Sequence, residues 1–338
     1  MHYLITGHTG FKGAWLSLLL QSKGHQVSGI ALDPTDASLF EVSQIGNRLT
    51  NDIRCDIRDY MNLEKHLKEL NPDVIIHLAA QSLVRRSYRI PFETFEINVN
   101  GTLNVLKASE ECPNLKSRLI ITTDKVYKNV NKFTGYVEED ALGGFDPYSA
   151  SKAMADIATQ SWSNSFQRIP TAIARAGNVI GGGDASEDRL FPDLIEDLVH
   201  ARTPRLRFPN SIRPWQHVLD CLNGYLLLVD RMLKDGTSGA WNFGPRQEDV
   251  FSVGEVTEKV MVIWGMNPSW ELVDQQLPHE SSRLLLNSSK AYSQLGWEDR
   301  LSVEEAINWT TSWYKNVSKG ANPLDETLTQ IRLFQANA

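Results

Sequence analysis

The chain has 338 residues, enough for about two domains at roughly 150 residues each. Apolar residues make up 41% and charged residues 22%, the balance of a folded globular protein, which excludes a disordered, collagen-like or disulfide-scaffold chain. Lys and Arg total 34 against 41 Asp and Glu, a net charge of −7, so the surface as a whole repels nucleic acid and anionic lipid, and neither is expected as a partner.

Tyr3 to Thr6 reads as a buried strand, Gly7 to Gly13 as a turn and Ala14 to Ser22 as a helix. Gln26 to Leu32 is a second strand. Leu63 to Leu70 is helical and stops at Asn71-Pro72, because proline cannot continue a helix and restricts its predecessor. Asp73 to Leu78 is a strand, and Phe92 to Glu110 carries apolar residues at helical spacing (Phe95, Val99, Leu103, Leu106). Leu119 to Thr122 is a further strand, and Tyr148 to Phe166 a helix. Apolar strand, turn and amphipathic helix in alternation specify an α/β fold with a doubly wound parallel sheet. The strands are continuously apolar, as a sheet covered on both faces requires.

Beyond Ile180 the regularity weakens. Gly181 to Gly183 opens a loop, Arg205 to Arg213 is a second loop, and Trp241 to Pro245 and Pro268 to Ser289 read as irregular. Helices are expected over Pro192 to Ala201, Leu219 to Lys234, Ser252 to Trp264 and Ser302 to Tyr314, and the polar tail after Gly320 is expected to be partly mobile. Residues 1–180 thus form the expected dinucleotide-binding domain. Residues 181–338 form mainly a smaller, loop-rich substrate lobe, with some segments returning to the large domain. Cys55, Cys112 and Cys221 are scattered without a CxxC pair, so no metal site or redox dithiol is expected. No stretch reads as a signal peptide or an 18-residue apolar span, and the expected location is cytoplasmic.

The turn Gly7-His8-Thr9-Gly10-Phe11-Lys12-Gly13 sits between a strand and a helix. Gly7 permits the tight turn, Gly10 lets backbone N–H groups approach a pyrophosphate, and Gly13 lets helix pack on strand. The pattern reads as the dinucleotide turn of a Rossmann-type sheet, with Phe11 and Lys12 inside it, against the alternative of an ordinary strand-to-helix turn. Asp33 ends the second strand, where a carboxylate accepts from ribose hydroxyls and repels a 2′-phosphate, favouring NAD over NADP. Asp33 also precedes Pro34 and suits a plain turn. Asp56, with Ile57 beside it, either receives the adenine amine or belongs to a helix cap. Leu78, Ala79 and Ala80 end the fourth strand, and their small side chains leave room for a cofactor lying across the strand ends.

Tyr148 and Lys152 are four residues apart, on one helix face, about 6 Å between Cβ atoms. An ammonium beside a phenol lowers the phenol's pKa from about 10, and such a Tyr takes a proton from a sugar or alcohol hydroxyl while hydride leaves for NAD. The glycine turn, Thr123 and the Tyr148/Lys152 pair together resemble the extended short-chain dehydrogenase/reductase family. Further segments are similar to its CDP-glucose 4,6-dehydratase group: His77 to Gln81, Asp124-Lys125, Gly144 to Lys152, Arg175 to Asp184, Arg213 to Val218 and Trp241 to Pro245. The resemblance runs to about Trp313.

That resemblance implies conversion of CDP-glucose to CDP-4-keto-6-deoxyglucose: oxidation at C4, loss of water across C5 and C6, and return of the hydride to C6, with NAD bound throughout. Tyr148 is then the base at the C4 hydroxyl, Lys152 tunes it and holds the nicotinamide ribose, and Thr123 hydrogen-bonds the C4 oxygen. Asp124 is the general acid for the departing hydroxyl. Lys125 is either the C5 base, which needs a depressed pKa, or a charge that stabilises the enolate-like intermediate. Gln81, Asn178, Arg213 and Arg283 are expected on the substrate. The arginine forks suit a pyrophosphate, though each also suits a surface ion pair, and Asn178 among its glycines also suits a turn. His77 and His217 are expected to be packed rather than catalytic. The family commonly pairs the helices 92–110 and 148–166 into a dimer interface, with Ala153, Ala155 and Ala158 allowing close approach, so a homodimer or homotetramer is implied. A 4-epimerase or reductase of the same family needs no Asp124-Lys125 pair, and a dinucleotide sensor needs no joint presence of Thr123, Tyr148 and Lys152.

Overall fold

A computed structural model describes residues 1–246, 250–273 and 284–336. Its first six strands are β1 (His2–Thr6), β2 (Gln26–Ala31), β3 (Asn51–Arg54), β4 (Val74–His77), β5 (Ser117–Ile121) and β6 (Thr171–Ala176). They join β11 (Gly239–Phe243) in a parallel seven-stranded sheet, ordered β11-β6-β5-β4-β1-β2-β3. Tyr3 stands opposite Val27 of β2 and Val74 of β4. The chain steps outward from β1 through β2 to β3, then crosses back to β4 on the other side. Ligands of open α/β sheets bind at such a reversal, outside the carboxyl ends of the strands.

Alternate residues of each strand enter different cores, as a pleat requires. Tyr3, Ile5 and Ile76 pack with α1 (Phe11–Ser22), α9 (Val218–Asp235) and α13 (Pro323–Ala336), while Leu4, Ile30 and Ile75 pack with α3 (Tyr60–Leu70) and α6 (Gly101–Ser109). A separate core joins α8 (Leu190–Val199), α10 (Val253–Trp264), β8 (Arg205–Leu206) and the start of α12 (Val303–Ser318) into a small lobe.

Several elements depart from the sequence reading. The helix expected over 92–110 is α5 (Pro91–Phe95), a π turn over Glu96–Asn100, and α6. The wide turn holds buried Asn98, which donates to the Gln81 carbonyl (3.0 Å) and to the Ser151 hydroxyl (2.8 Å) and accepts from the Gln81 N–H (2.8 Å). It thereby ties this helix to α7 (Pro147–Phe166), and π turns of this kind often mark functional sites. The irregular stretch expected at 241–245 is instead largely the sheet strand β11, with Trp241 and Phe243 buried; its partner β6 is far away in sequence. The 205–213 loop contains two short strands, β8 and β9 (Ile212–Arg213). The tail expected to be mobile is α13. Asn322 accepts from the N–H groups of Leu324 and Asp325, Pro323 begins the helix, and Ile331 and Phe334 are buried.

Candidate active site

A cavity of about 1180 Å³ opens at the reversal between β1 and β4 and continues into the small lobe. Gly7, Gly10, Phe11, Lys12 and Gly13 line one end of it. Gly7 takes φ +78°, and a Cβ there would lie 2.6 Å from the Ala79 nitrogen. A Cβ on Gly13 would lie 2.3 Å from the Gly7 carbonyl oxygen, so α1 can start this close to the turn only without one. Gly10 caps α1 without any side-chain hydrogen bond, and a Cβ on it would meet nothing closer than the Gly7 oxygen at 3.4 Å. The first N–H groups of the helix are thus left to an anion at the cavity. This cradle fits the pyrophosphate of a dinucleotide.

A fourth glycine completes the turn and escaped the sequence reading. His8 is fully buried and hydrogen-bonds with Asp52 at 2.6 Å, and its ring fills the space where a Gly29 Cβ would stand. Leu78, Ala79, Ala80, Asp56 and Ile57 also line the cavity. Asp56 is held by a fork from Arg58 and accepts from the Arg58 N–H. Asp33 does not line the cavity: its side chain is 89% exposed and pairs with Arg54 at 3.2 Å. Arg54 is itself drawn to Asp52 and lies over the Phe40 ring, which explains where the Asp33 carboxylate points.

The reacting groups meet in the middle of the cavity. Asp146 caps α7 by accepting from the Ser149 N–H (2.9 Å), Pro147 opens the helix, and Tyr148 and Lys152 follow one turn apart. The Tyr148 N–H donates to the Ser87 hydroxyl at 3.1 Å. Thr123 and Asp124 leave the end of β5, where the Thr123 hydroxyl donates to the Asp124 carboxylate at 2.8 Å. Lys125 and Asn178 line the same space, and so does Arg213, with its side chain buried.

Burial dominates the electrostatics. It pushes the Asp124 carboxyl above the usual range, against the pull of Lys125, the Thr123 hydroxyl and Arg213, so the acid is held in its proton-carrying form more readily. Burial also pushes the Tyr148 phenol up to about 12, with the Thr123 hydrogen bond and Arg189 working the other way. The expectation that Lys152 lowers this phenol is therefore not met in the protein alone. The Lys152 ammonium donates instead to the Ile121 carbonyl at 2.9 Å, and burial followed by Lys12 lowers it to about 8.

Gln81 lines the cavity, but its side-chain amide is spent on the Leu83 N–H and carbonyl and on Thr94. Its side chain thus braces the loop at the cavity wall. Arg283 lies outside the described residues. His77 hydrogen-bonds with Thr6 (2.6 Å) and with Thr102 (3.1 Å), and burial lowers its pKa to about 3. His217 is equally buried and caps α9 by accepting from the Leu219 N–H. The sequence reading missed a set of charged residues on the cavity wall: Arg85, Asp188, Arg189, Asp193 and Arg207. They come from α4 (Val84–Arg89), the loop before α8, α8 and the residues after β8, and in sequence they resemble ordinary surface charges.

The family model described as GDP-mannose 4,6 dehydratase matches residues 4–310. A CDP-glucose 4,6-dehydratase of Salmonella typhimurium is 42% identical over 331 residues, covering 95% of this chain and 92% of the relative. The structure of a dTDP-glucose 4,6-dehydratase of Bacillus anthracis in complex with NAD is 25% identical. It superposes with a TM-score of 0.81, over 96% of this chain and 99% of that one. A UDP-glucuronic acid 4-epimerase of Bacillus cereus, 22% identical, shares the fold at a TM-score of 0.82 over 94% and 100% of the two chains.

Proposed function

The chain belongs to the GDP-mannose 4,6 dehydratase family, and from that premise we propose that it is an NAD-dependent hydro-lyase converting CDP-D-glucose to CDP-4-keto-6-deoxy-D-glucose and water. The observation that carries this reading is the meeting of Thr123, Asp124, Lys125, Tyr148 and Lys152 at one cavity with the glycine turn. An epimerase would use the turn, Tyr148 and Lys152 but has no work for an acid whose proton affinity is raised by burial.

When bound, NAD supplies the hydride acceptor and a positive ring charge. The glycine turn and the first N–H groups of α1 hold its pyrophosphate, and Asp56, Ile57 and Leu78 to Ala80 wall the adenosine and ribose side. Tyr148 takes the proton of the C4 hydroxyl, and Thr123 fixes the C4 oxygen. Lys152 is buried beside them and keeps the site positive. Asp124 delivers its proton to the leaving C6 hydroxyl, the task for which its raised pKa suits it. Lys125 faces C5, as base or as the charge beside the enolate. Asn178 and Arg213 hold the sugar and diphosphate.

The division of labour follows the chain. Residues 1–180, with α9 and β11, carry the cofactor, and the rest of 181–338 carries most of the sugar nucleotide. Ala153 and Ala155 are buried inside the subunit, so they cannot line an interface. Met154 and Ile157 are outward apolar residues of α7, 48% and 53% exposed, and Phe92 of α5 is 76% exposed. These make the face of a homodimer, or of half a tetramer. Among the described residues no helix is long and apolar enough to cross a membrane. Purified protein given CDP-glucose should form a 4-keto product without net accumulation of NADH. A C4 epimer alone, or NADH accumulating with turnover, would overturn the dehydratase reading.

A further inference from the structure

The cavity wall where α4 meets the small lobe carries more charge than a diphosphate needs. Arg85, Arg86, Arg189, Arg205, Arg207 and Arg213 line it, and so do Asp184, Asp188, Asp193 and Asp197. A carboxylate facing a sugar nucleotide repels the diphosphate, so each one needs a partner. Three of the four have partners close by. Asp184 accepts from the Ser186 N–H at 3.0 Å. Asp188 takes Arg85 at 2.5 Å and Arg207 at 2.9 Å. Asp197 takes Arg202 at 2.9 Å.

Asp193 differs. Its nearest ion-pair partner, Arg207, stands 3.6 Å away, beyond hydrogen-bond reach, and its side chain is 53% exposed. It lies in the first turn of α8, whose backbone anchors it, and Phe208 lines the same end of the cavity. Arg207 is steadied by Asp188, so one guanidinium edge is fixed while the other is turned toward Asp193. The site therefore presents an acceptor, a neighbouring donor and an aromatic ring, at the small-lobe part of the cavity. Since the cofactor occupies the turn and the sugar must lie at Tyr148, this end is left for the base of the substrate's nucleotide.

Resting on the dehydratase reading above, we propose that Asp193 and Arg207 read the nucleobase of the substrate as cytosine. Asp193 accepts from the exocyclic amine, and Arg207 donates to the adjacent ring nitrogen or carbonyl. Cytosine offers that donor beside those acceptors. Uracil and thymine put a carbonyl where the amine would be, against the carboxylate, and a ring N–H against the guanidinium, so both contacts turn repulsive. Discrimination then comes as much from the mismatch as from the match.

Calorimetric titration of the NAD-loaded protein with CDP and with UDP tests this without any turnover. The wild type should bind CDP more tightly than UDP. Asp193→Asn, which removes the charge and offers an amide donor to a carbonyl, should shrink the CDP-to-UDP affinity ratio by roughly 10- to 100-fold, the worth of one charged hydrogen bond. Glu196→Gln removes the same charge from the outward face of α8 and should leave the ratio as it is. A ratio unmoved in Asp193→Asn, or lowered equally by Glu196→Gln, overturns the assignment. A protein that prefers CDP through Asp193 but does not dehydrate CDP-glucose would keep this assignment and refute the reaction proposed above.

Discussion

The ion pair behind the catalytic helix offers the sharpest test of what holds the site. Asp156 and Arg175 are 0% and 1% exposed, and the guanidinium grips both carboxylate oxygens at 2.8 Å. The Thr122 hydroxyl and the Gln160 amide also donate to Asp156, and Arg175 donates onward to the Tyr127 hydroxyl and the Glu138 carbonyl. The pair thus bolts α7 to β6, two turns beyond Tyr148. Asp156→Asn leaves a buried guanidinium without a counter-charge and turns an amide donor toward its donors. Removing one member of such a pair costs about 3–5 kcal/mol. With an unfolding entropy of about 2.1 cal/mol/K per residue, a 338-residue chain should melt about 4–7 °C lower. The double variant Asp156→Leu, Arg175→Met removes both charges and should recover most of that loss, because the desolvation of two ions disappears with their attraction. Asp156 also raises the proton affinity of Lys152, which burial and Lys12 bring to about 8. In Asp156→Asn the alkaline limb of the rate profile should therefore move to lower pH. Calorimetric melting and a pH–rate series measure both effects. A single variant melting within about 1 °C of the parent, or a double variant as unstable as the single, would refute the reasoning.

Further outcomes follow from the same geometry. Gly13→Ala places a methyl 2.3 Å from backbone and should lower both melting temperature and NAD affinity. Gly10→Ala meets only one atom at 3.4 Å within the protein, so it should melt like the parent yet lose NAD affinity about 10-fold or more by fluorescence titration. Equal affinity in Gly10→Ala would move the pyrophosphate elsewhere. Lys125→Met should still permit oxidation at C4 but block exchange of the C5 proton with deuterated solvent, and unaltered exchange would remove Lys125 as the base. Asp220 accepts from the Arg300 and Leu301 N–H groups, and burial raises its pKa to about 7. Its neutral form is favoured by folding, so its stabilising contribution is full below about pH 4 and fades as pH rises toward 7, by up to about 4 kcal/mol. Relative to the parent, Asp220→Asn should therefore gain urea resistance between pH 5 and pH 8, and a pH-independent difference would exclude Asp220 as the titrating group.

Local spacing was enough for the cofactor half of the molecule. The apolar runs at residues 3–6, 73–78 and 119–122 became central strands because each is too short and too apolar for anything else in a covered sheet. The glycines at 7 and 13 became the cradle because a Cβ there would strike backbone, while Gly10 between them leaves its space open to the cavity. Other features were hidden for identifiable reasons. Trp241 to Phe243 forms a strand only because β6 awaits it, and that pairing spans more than sixty residues of chain. The Asn322-Pro323 start of α13 is a legible cap, but it was outweighed by the polar composition of the tail. The Asp33 carboxylate was read from its place at a strand end, yet its direction is set by Arg54, which arrives from the neighbouring strand.

Chain order therefore determined which chemistry this protein carries: a dinucleotide turn, a Tyr148/Lys152 helix face, and the adjacent Thr123, Asp124 and Lys125. Each of these is a short-range pattern, fixed by one turn or one helical repeat. Only the tertiary structure decided how those groups are tuned and what faces them. Desolvation holds the proton on Asp124 and on Tyr148 alike, and desolvation depends on packing from every side. The charged wall from Arg85 to Arg207 exists only where helix, loop and strand from distant parts of the chain close around one cavity.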